Sequence, residues 1–156
     1  MTFASRPYLF SFETAHAEPL AFIPLGVRFY LDRCGLRLSL AQWQALPEAA
    51  RASLASPEPV LDGGAAQAFE ALLEAHVGAH GGGAVERQSP AAADELSPPV
   101  LPGSVISQAA LHGLDGFSQA AWDRLSVAQR YALTKLARKA RRSDDFAAAA
   151  HEFGLD

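Results

Sequence analysis

The sequence predicts an all-α fold, a compact domain of about six to eight helices whose two halves are related by an internal pseudo-two-fold duplication. Three observations support this prediction. Apolar residues recur every three or four positions through most of the chain, which is typical of amphipathic helices. A helix-start signal, Ser followed three residues later by Gln, occurs in both halves. Finally, the segment Ser39–Leu54 has a near copy at Ser118–Leu133.

The copies are separated by 79 positions, and each contains one of the protein's two tryptophans. The residues that match at this offset are Ser39, Ala41, Trp43, Leu46, Ala49, Arg51 and Leu54 with Ser118, Ala120, Trp122, Leu125, Ala128, Arg130 and Leu133. Upstream, Pro24, Val27, Gly35 and Leu36 match Pro102, Val105, Gly113 and Leu114 at an offset of 78. Because each copy must bury its own apolar face, we expect both tryptophans to lie in the core.

The first half, about residues 8–55, begins with an extended arm, since aromatic residues alternate over residues 7–14. A helix follows from Pro24 and ends at Gly35, where glycine suits a left-handed conformation. The capping box of Ser39 and Gln42 begins a short helix. Pro47 then ends that helix and begins another, so that the two helices meet at a sharp corner.

Between the halves, Asp62 is placed to cap a helix that ends at His80. The apolar stripe of that helix contains Phe69, Leu72, Leu73 and Val77. The following segment, about residues 81–102, is rich in Gly and Pro and longer than ordinary loops, so we expect an irregular connection.

The second half, about residues 100–155, ends in two further helices. The capping box of Ser126 and Gln129 begins a long helix whose buried stripe contains Leu133, Leu136, Ala137 and Ala140. Ser143 caps the last helix, with Asp144 and Asp145 in the first turn and Gly154 at the end. We therefore expect a single helical domain over residues 1–156.

The composition restricts the function. The net charge of −4 disfavours a general nucleic-acid binder. One cysteine allows neither an intrachain disulfide nor a cysteine metal cluster and favours a reducing compartment. We see no signal peptide and no apolar run of membrane-spanning length, so we expect a soluble cytoplasmic protein without membrane partners.

Four ordered strings of the sequence point to a known family. They are FSFE (Phe10–Glu13), the string Ile23–Trp43, the string Trp122–Arg138, and EFGL (Glu152–Leu155). Together they cover about half of the chain, and they resemble the nitrate reductase-associated proteins. Residues 56–102 are not matched one by one.

The resemblance implies a non-catalytic accessory protein of nitrate assimilation, one that assists maturation or assembly of nitrate reductase or its molybdopterin cofactor. It implies a protein partner, either nitrate reductase or the molybdopterin-cofactor machinery. The family supplies no catalytic residues to carry over, and we expect no cofactor in this chain.

Candidate partner-binding residues are the charged groups in the matched strings and the basic run beside them. Arg28 and Asp32 lie one helical turn apart and can pair. The run is Lys135, Arg138, Lys139, Arg141 and Arg142, with Arg130 five positions before Lys135. A solvated helix face would also explain the run, whereas docking on an acidic partner or an anionic cofactor intermediate would give it a function.

Two other functions stay open. The protein can bind a small ligand, or act as an enzyme, through a pocket between the two halves. Less favoured is nucleic-acid binding through a basic helix over residues 135–142.

Cys34 and the pair His76 and His80 carry no chemical role in our interpretation. Cys34 lies on the apolar stripe of the first helix, where a free thiol behaves as a small hydrophobe. Two histidines are too few for a zinc site, which needs three or four ligands. We expect no catalytic and no metal residues.

Overall fold

The computed structural model describes residues 6–15, 17–80, 83–138 and 141–156. This part of the chain is mostly helical, with one two-stranded sheet, as an all-α class requires. Two 3-10 turns, Ser11–Ala15 and Pro19–Ala21, precede the first α-helix. The helices are α1 Leu25–Cys34, α2 Leu40–Ala45, α3 Glu48–Ala55, α4 Gly63–Ala79, α5 Ala93–Leu96, α6 Gly103–Leu111, α7 Gln119–Asp123, α8 Val127–Leu136 and α9 Asp144–Glu152, and the strands are β1 Leu36–Arg37 and β2 Glu86–Arg87.

The chain divides into two compact units. The first comprises Glu13–Ala92 with the segment that ends at Leu9, and the second comprises Ala93–Asp156 with Phe10–Phe12. The prediction of a single domain stays a prediction, as does the pseudo-two-fold duplication.

In the first unit, α1 packs on α4 and α3. The ring of Tyr30 stacks on that of Phe69, with centroids 5.3 Å apart, and Phe29 is fully buried beside it. As predicted, α1 ends at Gly35 in the left-handed conformation, with φ of 69°. A side chain there would also meet the carbonyl oxygen of Gln88 at 2.5 Å, so only glycine fits.

The described part of the 81–102 connection contains six residues of regular structure that the sequence pattern does not predict. Glu86 and Arg87 form β2, which pairs antiparallel with β1, and residues 93–96 form α5. Backbone contacts order the segment, because Gln88 donates to Gly35 O at 2.9 Å and Ala91 donates to Asp32 O at 2.8 Å. Such contacts leave no hydrophobic periodicity in the sequence. The unpredicted α5 brings the described α-helices to nine rather than six to eight.

The tryptophans are core residues, as predicted. Trp43 and Trp122 are 0% and 1% exposed. The indole N–H of Trp43 donates to Leu20 O at 2.8 Å, and that of Trp122 donates to Pro98 O at 2.7 Å. Each buried indole therefore has a backbone partner for its one donor, which is the condition for burying tryptophan without penalty.

In the second unit, α8 packs against α5, α6 and α9. The fully buried Phe146 on α9 stacks on Phe117, with centroids 5.6 Å apart. Gly116 lies so close to the C-terminal segment that a Cβ there would overlap the carbonyl group of Leu155. Leu155 is itself buried, so the end of the chain is part of this packing.

The extended arm predicted for residues 7–14 is correct only as far as Phe10. Ser11–Ala15 turns into a 3-10 helix, which ends the alternation. Phe10 is buried, and its ring stacks on Phe12 at 5.5 Å and meets Phe153 edge-on at 5.3 Å. Packing between aromatic rings, rather than strand pairing, positions this segment.

The predicted helix caps are confirmed. Ser39 with Gln42 and Ser126 with Gln129 form complete capping boxes. Asp62 and Ser143 accept hydrogen bonds from the first turns of α4 and α9. The boundaries of these helices therefore follow from local side-chain chemistry that is visible in the sequence.

Candidate partner-binding site

The basic run does not form a helix over residues 135–142. Helix α8 ends at Leu136, and Arg138, Arg141 and Arg142 lie in the connection to α9, which we call the basic connection (residues 137–142). Lys139, a predicted site residue, and Ala140, a predicted core residue, lie outside the described residues. Like charges at helical spacing disfavour continuation of α8, and Ser143 must adopt an extended conformation to cap α9.

A buried glutamine fixes the end of the basic connection. Gln108, on α6, is 2% exposed. Its side-chain amide donates to Arg141 O at 3.0 Å, and its side-chain oxygen accepts from Ser143 N at 2.9 Å. Because both ends of the amide are bonded to main chain, the backbone from Arg141 to Ser143 is held in one path.

A second contact joins the basic connection to the end of α6. Arg142 Nε donates to His112 Nδ1 at 3.1 Å, and the His112 ring stacks near Phe146. Since Nδ1 accepts this bond, the hydrogen of the neutral ring lies on Nε2. That Nε2 is buried without a hydrogen-bond partner among the described residues. Arg142 is thus anchored through its Nε.

The exposed arginines of the basic connection are not neutralised within the described structure. Arg138, Arg141 and Arg142 are exposed, and no described carboxylate forms an ion pair with their guanidinium groups. Asp144 and Asp145 follow directly, in the first turn of α9, where the positive end of the helix favours them. A chain of net charge −4 therefore exposes three arginines within five positions of the sequence, Arg138, Arg141 and Arg142.

Arg130 and Lys135 lie on α8, just before the basic connection. Arg130 has a structural role, because its Nε donates to Trp122 O and its Nη2 to Asp123 O, both at 3.1 Å. Lys135 is half-buried in the last turn of α8. Of the two, Lys135 is the one placed to contribute its charge beside the connection.

Arg28 and Asp32 belong to the first unit, on α1. Arg28 is exposed, and its Nε donates to Ile23 O at 3.2 Å. Asp32 is half-buried, and its carbonyl group accepts from Gly35 and Ala91. The ion pair between Arg28 and Asp32 stays a prediction. Of the candidate partner-binding residues, therefore, only those of the second unit lie on or next to one segment, the basic connection.

Cys34 is held in a setting that lowers its reactivity. Its thiol is half-buried and donates to Ala66 O at 3.3 Å. Burial, and then the nearby charge of Glu70, raise the pKa of the Cys34 thiol above its ordinary value of 9.0. Because the thiolate is the reactive form, this shift opposes nucleophilic chemistry at neutral pH.

The histidine pair on α4 is stacked. The rings of His76 and His80 have centroids 6.4 Å apart, and His80 already lies beyond the end of the helix. Within the described ranges, no three His, Cys, Asp or Glu side chains gather into a group able to hold a metal ion.

Two features of the first unit escape prediction from sequence. Arg87 on β2 forms exposed ion pairs with Glu70 and Glu74 on α4, at 3.1 and 3.0 Å. A cavity of about 320 Å³ lies beside the 3-10 turn Pro19–Ala21. Apolar side chains and three charged groups line it, among them Pro7, Leu9, Leu20, Glu18, Glu48 and Arg51. The one sequence signal at this cavity is Arg51, which matches Arg130 at the offset of 79 positions.

The chain matches the model of a known protein family. A family model described as conserved nitrate reductase-associated protein matches residues 9–153. Comparison with curated proteins and with solved structures gives no match. Among the described residues, no helix combines the length and apolar character needed to cross a bilayer. The match covers nearly the whole chain, which therefore belongs to the nitrate reductase-associated protein family.

Proposed function

We propose that this protein is a non-catalytic accessory factor of nitrate assimilation that binds nitrate reductase, or the proteins that supply its molybdopterin cofactor, in the cytoplasm. Family membership over residues 9–153 is the observation that carries the proposal. The proposed role is assistance during maturation or assembly of the reductase, which requires a docking surface rather than a catalytic centre.

The basic connection is the docking surface that the charges favour. Arg138, Arg141 and Arg142 are exposed, and the backbone that carries the last two is fixed by Gln108. A guanidinium group can bind a carboxylate with two parallel hydrogen bonds. Because the backbone at Arg141 and Arg142 is already fixed, these two arginines lose less conformational entropy on binding than residues of a free loop would. The expected partner surface is therefore acidic, and binding should weaken as salt is added.

Affinity capture from nitrate-grown cells tests the proposal. We expect the immobilised wild-type chain to enrich nitrate reductase or molybdopterin-cofactor proteins, identified by mass spectrometry. The variant with Arg138→Gln, Arg141→Gln and Arg142→Gln should lose this enrichment. Recovery of neither protein class by the wild-type chain would sink the proposal.

A second candidate function rests on the cavity of the first unit. Arg51 uses Nε and Nη1 to bind Leu46 O and Leu20 O at 3.2 and 2.7 Å, which leaves its Nη2 for a ligand. Nitrate, nitrite and molybdate are suitable probes in a thermal-shift assay. Stabilisation by one of them that is lost when Ala17→Phe fills the cavity would support a ligand-binding protein, whereas no shift with any probe would remove this candidate.

We also infer that the two units descend from one duplicated ancestor. Corresponding elements share local chemistry, since α1 and α6 both begin after proline and are followed by a left-handed glycine, Gly35 or Gly113. The two tryptophan donors are 79 positions apart, and their backbone acceptors are 78 apart. Superposition of α1–α3 on α6–α8 tests the inference, and unrelated backbone paths would contradict it.

A further inference from the structure

The cavity of the first unit is lined by charges of both signs. All of its described lining residues belong to that unit, and three of them are charged, Glu18, Glu48 and Arg51. Glu48 and Arg51 lie three positions apart on α3, so their side chains leave the helix on the same side. Glu18 directly precedes the 3-10 turn Pro19–Ala21, and Arg51 Nη1 donates to Leu20 O of that turn at 2.7 Å. The helix and the turn therefore bring one guanidinium group and two carboxylates to the same cavity.

These three charges are not paired with one another. Within the described ranges, no ion pair joins Arg51 to Glu18 or Glu48. Arg51 is half-buried and held by two main-chain carbonyl groups, those of Leu46 and Leu20, whereas both glutamates are exposed. A ligand can therefore bond Arg51 Nη2 and the two carboxylates without first breaking an internal ion pair.

Arg51 holds a different segment from its match in the second copy of the repeat. Arg130 donates through Nε and Nη2 to Trp122 O and Asp123 O, so both of its bonds stay on the preceding helix α7. Arg51 makes one bond of this kind, from Nε to Leu46 O after α2, but its Nη1 reaches the 3-10 turn instead. This reach to the turn places Arg51 at the cavity.

A ligand with charges of both signs suits this lining better than a simple ion. An inorganic anion bound to Arg51 would share the cavity with two carboxylates, which repel it. A simple cation bound to Glu18 and Glu48 would be repelled by the guanidinium group in the same way. A zwitterion places its carboxylate on Arg51 and its ammonium group on the glutamates, so that every charge has a partner of opposite sign.

The rest of the described lining is apolar, and the cavity is small. It consists of Pro7, Leu9, Ala17, Pro19, Leu20 and Ala21. The volume of about 320 Å³ lies at the small end of the range for ligand sites, which suits a small metabolite rather than a nucleotide-sized cofactor. An apolar α-amino acid combines a carboxylate, an ammonium group and an apolar side chain in one molecule of this size.

We propose that the cavity of the first unit binds an apolar α-amino acid, with its carboxylate on Arg51 and its ammonium group on Glu18 and Glu48. This inference rests on the ligand-binding function given above as the second candidate, and it names the class of ligand. The apolar side chain of the amino acid packs on the prolines and leucines of the lining.

Isothermal titration calorimetry of the full-length chain tests the proposal. The probes are L-leucine, L-valine, L-methionine and L-phenylalanine, and at least one of them should bind with one molecule per chain. Leucinamide lacks the carboxylate and 4-methylpentanoate lacks the ammonium group. Each of these analogues should bind more weakly than leucine by on the order of tenfold or more, because each leaves one sign of charge unmatched.

Matched variants test the role of the carboxylates. Glu18→Gln with Glu48→Gln should weaken amino-acid binding by on the order of tenfold or more. Glu58→Gln with Glu86→Gln changes the net charge equally at exposed positions outside the described lining and should bind like the wild type. All four positions are exposed, so circular dichroism should show the same fold in both variants.

The outcomes separate this inference from the function on which it rests. Lack of binding by all four amino acids would overturn the proposal, as would single-charge analogues that bind as well as leucine. Stabilisation by nitrate, nitrite or molybdate that Ala17→Phe removes, without amino-acid binding, would overturn the amino-acid class and leave the ligand-binding function standing. No response to any probe would remove both.

Discussion

Gln108 on α6 accepts a hydrogen bond from the main-chain N–H of Ser143, the cap of α9, at 2.9 Å. The same side chain donates to Arg141 O at 3.0 Å, so one buried amide joins α6, the basic connection and α9. Through these two hydrogen bonds, Gln108 fixes the backbone at the end of the proposed docking surface.

Gln108→Ala should therefore destabilise the protein by about 2–4 kcal/mol, because it strands a buried N–H and a carbonyl group. Chemical denaturation monitored by circular dichroism measures the loss. Gln108→Glu keeps the side-chain oxygen that accepts from Ser143 N but loses the N–H group that donates to Arg141 O. As a control, Gln44→Ala removes an exposed side-chain hydrogen bond to Ala21 O. Equal stability of Gln108→Ala and Gln44→Ala would contradict the assigned role.

The two tryptophans should be among the most sensitive positions. Trp43→Ala and Trp122→Ala each remove a buried ring and a satisfied indole donor, so each should cost about 3–5 kcal/mol. Trp43→Phe retains most of the apolar volume, and Leu20 O keeps its hydrogen bond from Arg51 Nη1, so the cost of this substitution should be smaller. Thermal melts with little loss for either alanine variant would contradict the core assignment.

Two glycines should respond to alanine in opposite directions. At Gly116 the new methyl group would overlap the Leu155 carbonyl group, and because that neighbour is backbone, Gly116→Ala should destabilise by about 1–3 kcal/mol. At Gly78, in α4, nothing lies within 4 Å of a Cβ, so Gly78→Ala should stabilise by about 0.5–1 kcal/mol through helix propensity. Parallel denaturation curves of the two variants measure both effects. A stabilised Gly116→Ala would show that the C-terminal segment is not packed on Gly116.

Alkaline pH should weaken the first unit. Burial raises the pKa of Tyr30 above 10.0 and that of Cys34 above 9.0. The sign follows because an acid whose pKa is raised by folding stabilises the fold fully below its unfolded pKa and loses that contribution as pH rises through the folded value. Stability should thus fall as pH rises above about 9. The fall should be shallower in Tyr30→Phe and in Cys34→Ala, and an unchanged slope in both variants would contradict the assignment.

The elements with local signals could be predicted from sequence, and the rest could not, for physical reasons. The capping serines, Asp62 and Gly35 act on their own helix ends, so their positions follow from neighbouring residues alone. By contrast, the segment after β2 is held by backbone hydrogen bonds from Gln88 to Gly35 and from Ala91 to Asp32, more than 50 positions away, which no side-chain pattern records.

The same distinction applies to the candidate site. The charges of Arg138, Arg141 and Arg142 are visible in the sequence, but their continuous helical spacing predicts a basic helix that does not exist. The helix ends at Leu136, and the connection takes its path from Gln108 and His112, which are 33 and 30 positions from the arginines that they contact. The exposure of Ile106 and Leu111 likewise depends on which face of α6 packs on α8, and tertiary contacts determine that face.

Binding of purified nitrate reductase to this chain at several salt concentrations tests the central claim most directly. We predict that the wild type binds, that its affinity falls as salt rises, and that Arg138→Gln, Arg141→Gln and Arg142→Gln together weaken binding on the order of tenfold or more. A control that neutralises the exposed Arg6, Arg37 and Arg124 changes net charge equally and should bind like the wild type. Absence of binding by the wild type, or equal loss in the control, would contradict the account.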